Sequence, residues 1–163
     1  MKKETFSFNE IPNSVEMLKA LPEAQLTSPF AAAALSVLVL CNYENDRDKT
    51  IEMMNFLKGP QPLSNYEVQF IRDRLAGKGY KTFSFFDGSS PQNNYTPNKP
   101  YTITTFDNPY SYDTQGYAKI YMRSSGADSE RYVSLRQKGD KWYVWEIFYL
   151  SDIRTPAEND PWA

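Results

Sequence analysis

The spacing of apolar residues changes once along this chain, and that change limits its fold more than any other feature. Up to Gly77 apolar positions recur at intervals of three and four; beyond Gly79 they recur at every other position. The first period belongs to helices buried on one face, the second to strands buried on one face. Helices followed by strands predict an α+β fold, with about four N-terminal helices packed on one face of a C-terminal antiparallel sheet of about five strands. The helical half spans about 13–77 and the β half about 80–150, with a short C-terminal tail. At 163 residues, 1–163 reads as one domain.

Local signals place the helices. Asn13 or Ser14 caps a short helix that Pro22 limits, and Ser28-Pro29 opens the next one with a capping side chain and a proline whose missing N–H costs nothing there. FAAAALSVLVLC (30–41) is apolar on nearly every face, so protein surrounds it. It falls short of the ~20 residues that cross a bilayer. DRDKT (46–50) matches the Asp-x-Asp-x-Thr of aspartate-phosphorylating hydrolases, yet helix precedes it where that chemistry needs a buried strand. A calcium loop fails as well, with Ile51 and Leu57 where glycine and glutamate belong. Asp46 is therefore read as the cap of a third helix with Ile51, Met54 and Leu57 as its stripe and Gly59-Pro60 as its stop. In LSNYEV, Ser64 and Glu67 fit a capping box flanked by Leu63 and Val68. Val68, Ile71 and Leu75 share that helix's buried face, and Gly77 ends it.

Strands are expected at 80–86, 101–106, 117–123, 131–137 and 142–149, all rich in aromatic and β-branched residues. Ala118, Ile120 and Met122 share a face, as do Val133 and Leu135. QKGDKW marks a tight turn at Gly139. RSSGADSERY (123–132) lacks the glycine two residues before Ser125 that a nucleophile elbow needs, and a lysine after its glycine that a phosphate loop needs. It is read as a hairpin tip with Gly126 at positive φ. Residues 87–100, with three prolines, form an ordered loop around Tyr95.

Histidine is absent, which removes the usual general base near neutral pH and the usual zinc ligand. Cys41 is the single cysteine, so no internal disulfide forms. Neither a Ser-Lys nor a cysteine-based nucleophile pattern exists, which leans against an enzyme; no metal and no cofactor is expected. Lys and Arg number 18 against 20 Asp and Glu, a balance that disfavours nucleic acid and anionic membrane as partners. MKKETFSFNEIPNSVEML has no continuous apolar segment and is not read as a signal peptide, so a cytoplasmic, soluble protein is expected.

The excess is aromatic: 12 Tyr, 10 Phe and 3 Trp. Tyr95, Tyr101, Tyr110 and Tyr112 crowd a region rich in Asn, Ser and Pro, the palette of adaptable recognition surfaces. Arg123 and Arg131 flank the glycine loop and could grip an anionic group. Glu146, two residues from Val144 and from Phe148, is expected to face inward. Tyr117, Lys119, Tyr121 and Arg123 beside Tyr132 and Arg136 mix rings and cations, read as a solvent face whose basic stems cover the rings. Trp162 is expected to tuck back onto the body.

GYAKIYMRSSGADSERYVSLRQKGDKWYVWEI, running into LSDIRTPAENDPWA, resembles an uncharacterised bacterial family, a domain of unknown function, most clearly over 101–163. The resemblance implies no activity, cofactor or catalytic residue. Helices ahead of a curved antiparallel sheet also look like the cone-shaped folds of the nuclear-transport-factor and cystatin types, at the level of fold only. Two functions remain open. One is a non-catalytic interaction module for a protein, peptide or glycan, with a homodimer allowed. The alternative is a cavity domain that binds or slowly turns over a small ligand between helices and sheet, using Tyr hydroxyls and Glu146.

Overall fold

The computed structural model describes residues 1–162. A first strand, β1 (Lys3–Phe8), is followed by α1 (Val15–Lys19), α2 (Pro29–Leu40), α3 (Arg47–Lys58), α4 (Asn65–Leu75) and a single turn, α5 (Tyr80–Phe83). Four more strands follow: β2 (Tyr101–Phe106), β3 (Tyr117–Met122), β4 (Arg131–Lys138) and β5 (Lys141–Ile147). They form one antiparallel sheet in the order β1-β2-β3-β4-β5. The fold is α+β.

Helix α2 is the axis of the core. Ser28 caps it through the Ala31 N–H, Pro29 takes its first position, and every residue from Phe30 to Leu40 is buried. It touches all five strands and also α3 and α5. Against it lie Phe8, Ile103, Ala118, Ile120, Met122, Val133, Leu135 and Val144, all buried. Each fully buried Leu, Val or Ile here contributes about 1.5–3 kcal/mol. Polar groups inside this core are paired: Thr105 Oγ1 donates to the Phe30 carbonyl at 3.1 Å, and Tyr149 donates to Ser36 at 3.0 Å. Among the described residues no buried side-chain N or O atom lacks a partner.

The other helix starts follow the sequence signals. Ser14 caps α1 and Asp46 caps α3; Ser64 and Glu67 make both bonds of the capping box of α4. Gly59, at φ +66, ends α3 where the turn presses against Tyr143, so that even a methyl group would collide with that ring. The 87–100 loop is ordered: Asn93 bonds to Ser90, Gly88 and Thr96 within it.

Four expectations are corrected. Residues 80–86 are not a strand: α5 and the turn after it are enclosed, with Lys81, Thr82, Ser84, Phe85 and Phe86 all buried. When both sides of a segment are covered, alternation says nothing about a sheet face, and Thr82 and Ser84 hydroxyls close local turns onto the Gly79 and Lys81 carbonyls. The fifth strand is β1 instead, its Thr5 and Ser7 hydroxyls bonded across to Thr104 and Thr102 at 2.9 Å each. Gly126 is neither exposed nor at positive φ. The Ser125 N–H donates to Ser84, the Arg154 N–H donates to Gly126, and a methyl group on Gly126 would strike the Tyr95 hydroxyl. Trp162 is 94% exposed, because among the described residues beyond Glu158, which bonds to Asn94, the tail makes only local bonds, from the Asn159, Asp160 and Trp162 N–H groups to Pro156, Ala157 and Asp160.

Candidate functional site

The outer face of the sheet is aromatic where the inner face is aliphatic. Tyr121 of β3 pairs directly with Tyr132 of β4, their rings 5.5 Å apart. Tyr132 stacks on Phe148 at 4.6 Å, and Tyr121 stacks on Phe106 of β2 at 6.1 Å. Four rings thus run as one ribbon across the strands. Cations lie over this face: Lys119 over Tyr132, Arg123 over Phe106, and Arg136 over both Tyr117 (5.4 Å) and Trp145 (4.7 Å). Ring–cation contacts of this kind each contribute about 0.5–2 kcal/mol.

A bulge sets the position of Trp145. The register runs from Ser134↔Glu146 to Leu135↔Val144, leaving Trp145 as the extra residue. Alternation is broken there, so Val144 is buried, Trp145 half-buried and Glu146 exposed. Glu146 therefore does not face the interior; counting by two from Val144 fails across an inserted residue.

Three clefts meet at Trp145. One of about 500 Å³ separates β5 from α4, with Tyr66, Phe70, Phe148 and Leu150 in its walls. A second, about 400 Å³, lies between the ribbon and the 110–114 loop, with Tyr110, Tyr132 and Glu146 in its walls. The third, about 270 Å³, lies between the β4–β5 hairpin and the turn after α3. Lys58 reaches into the first and third. Its side chain is 3% exposed, and its Nζ donates to Glu67 and to the Trp145 carbonyl at 2.9 Å each. Burial alone would raise the Glu67 carboxyl, but the Ser64 N–H and the Lys58 ammonium outweigh it and hold it below the usual glutamate range.

The seven residues singled out from sequence scatter. Tyr95 is buried, stacked on Tyr80 at 5.5 Å and bonded to the Arg154 carbonyl at 2.6 Å; it holds the C-terminal segment in place. Arg131 is occupied in the same way, donating to Ser129, Ser151 and Asp152. Tyr101 is half-buried, edge-on to Phe86. Arg123 pairs with Glu130 at 3.5 Å. Tyr112 is exposed and bonds to Asp107; desolvation, with that carboxylate beside it, pushes its phenol up to about 12. Tyr110, at 71% exposed, and Glu146 are the two that the structure brings to one cleft. Sequence reasoning missed Trp145, Phe148 and Lys58 as site residues. Only the run WYVWEIFY hinted at the first two.

Cys41 is not a thiolate: desolvation pushes it up to about 12 despite a bond to Thr82. Among the described residues, no group of three or more His, Cys, Asp or Glu side chains could hold a metal ion. No helix among them is long and apolar enough to cross a membrane. What the face offers is flat rings, fixed cations and amides, the chemistry of contact and hydrogen bonding.

Fold and face together define an α+β protein with an aromatic, cation-braced sheet surface. The chain belongs to a family described as a domain of unknown function, DUF6935, whose model matches residues 10–157. That span includes all five helices and β2 to β5, and leaves β1 outside. No curated protein and no solved structure matches the chain.

Proposed function

We propose that this chain is a non-catalytic interaction module that binds a protein partner on the outer face of β3–β5. The observation that carries this reading is Trp145, displaced outward by the bulge to the junction of three clefts and flanked by Arg136 and Tyr117. Trp, Tyr and Arg are the residues that concentrate binding energy at protein interfaces. Exposed Tyr66, Tyr110 and Phe148 extend the apolar area around it. β5 is the last strand, yet its edge is partly occupied: Lys58 caps the Trp145 carbonyl, and the Trp142 N–H donates to Leu26. A partner is therefore read by side chains and not through a free backbone ladder. Selection of a displayed protein-fragment library on the full chain tests this. Binders should weaken by about 30-fold or more with Trp145→Ala, and indifference of all binders to that change would refute the assignment.

The wide cleft favours a second reading, a small ligand. Its volume of about 500 Å³ lies in the range of small-molecule sites, and Phe70, Ile71, Ile147 and Leu150 give it apolar walls. It lies outside the helix–sheet interior, which α2 fills. Thermal-shift screening separates the two: a stabilising metabolite whose effect disappears in Phe70→Asp would favour the ligand.

A further inference from the structure

We infer that the cleft between the β4–β5 hairpin and the turn after α3 is an oxyanion subsite, taking a carboxylate or phosphate carried on an apolar or planar body. Three cations line it, Lys58, Arg136 and Lys138, together with Gln61 and Gln137, and no carboxylate does. Arg136 and Lys138 make no ion pair and no side-chain hydrogen bond among the described residues, whereas Arg123, Arg131 and Arg154 are all engaged. Of the neighbouring acids only Glu67 offsets a charge of the site, that of Lys58, which leaves Arg136 and Lys138 as its two unpaired cations. Glu67 is taken by Lys58, Asp140 is exposed in the hairpin turn, and Glu146 lines the other two clefts.

The geometry of Arg136 is what makes this a site and not a spread of surface charge. Its guanidinium lies over two rings, Tyr117 and Trp145, and among the described residues no protein acceptor engages its N–H groups. A guanidinium held against two rings in this way has given up part of its side-chain freedom, and its fork of donors matches the two oxygens of a carboxylate or phosphate. Lys58, buried and tied by two bonds, keeps one of its three donors free. Trp145, Tyr143 and Val144 supply an apolar wall for the body of the ligand. At about 270 Å³ the cleft admits a side chain or a small molecule.

Where the oxyanion is an acidic side chain of a protein partner, this subsite rests on the interaction-module reading; where it is a free anion, it does not. The test is an NMR titration of the full chain with inorganic phosphate, and in a second arm with a tetraglutamate peptide, each against sodium chloride at matched ionic strength. Saturable shifts at the Trp145 indole N–H and Arg136 Nε–H are expected. The R136Q/K138Q double variant, changed only at exposed positions, should weaken them by about tenfold or more, while Lys49→Gln leaves them unaltered. Tighter binding of the peptide assigns the oxyanion to a polypeptide, tighter binding of phosphate to a free anion. Shifts that never saturate, that spread over all surface lysines, or that survive the double change overturn the subsite. If phosphate saturates the cleft while every library binder ignores Trp145, the subsite stands and the interaction module falls.

Discussion

On its inner face the sheet sets Ala118, Ile120, Met122, Val133, Leu135 and Val144 against α2, all buried; on its outer face the alternate positions hold Tyr117, Tyr121, Tyr132 and the bulged Trp145, all half-buried. The same strands carry both sets. The inner residues have no polar atoms and mesh with one helix, so their work is finished when the chain folds. The outer residues are large rings, covered in part by one another and by cations. Area left partly open after folding remains available to a partner. The difference separates what holds the molecule together from what it can present.

Substitutions can break or sharpen that contrast. The largest loss is expected for Ile120→Ala, at about 2–5 kcal/mol in chemical denaturation, because α2 cannot move to fill the cavity. Gly126→Ala should cost about 1–3 kcal/mol by driving Tyr95 off the Arg154 carbonyl, and a wild-type denaturation midpoint would show that the loop is looser than described. Tyr149→Phe should cost about 1 kcal/mol, since the Ser36 hydroxyl keeps its bond to the Ala33 carbonyl. On the outer face Tyr132→Ser should lower stability by about 1 kcal/mol or less while abolishing partner binding; a loss as large as that of Ile120→Ala would erase the distinction between the faces. The smallest effect is one of pH. Because the folded Glu67 carboxyl lies below its unfolded value, its contribution is present above about pH 4.3 and fades as pH falls through the folded value. Glu67→Gln should remove that acid slope in thermal melts.

Most of the helices were legible in the sequence because their signals are local. Ser28-Pro29, Asp46 and the Ser64/Glu67 box act within one turn, and each does so in the structure. Strands β2 to β5 were legible from alternation and from the turn at Gly139. The remainder depends on contacts distant in sequence. YKTFSFF alternates like a strand, but burial on all sides makes it a helical turn. Gly126 reads as a tip until Tyr95, Ser84 and Arg154 close around it. The candidate face was half visible: Tyr121, Tyr132 and Arg136 stood out as a mix of rings and cations, but a one-residue bulge has no signature in WYVWEIFY. Trp145 could not be told from a core tryptophan without it.

The Thr5–Thr104 bond joins residues 99 apart. During synthesis β1 emerges first, and its pairing partner follows only after all five helices have been made. Until then Phe8 can lie against α2 but β1 has no strand to pair with, and once β2 arrives it shows an open side until β1 pairs. Closing so long a loop is slow relative to helix formation. In the folded chain β1 covers that side of β2, the kind of unpaired strand edge that can otherwise recruit other chains.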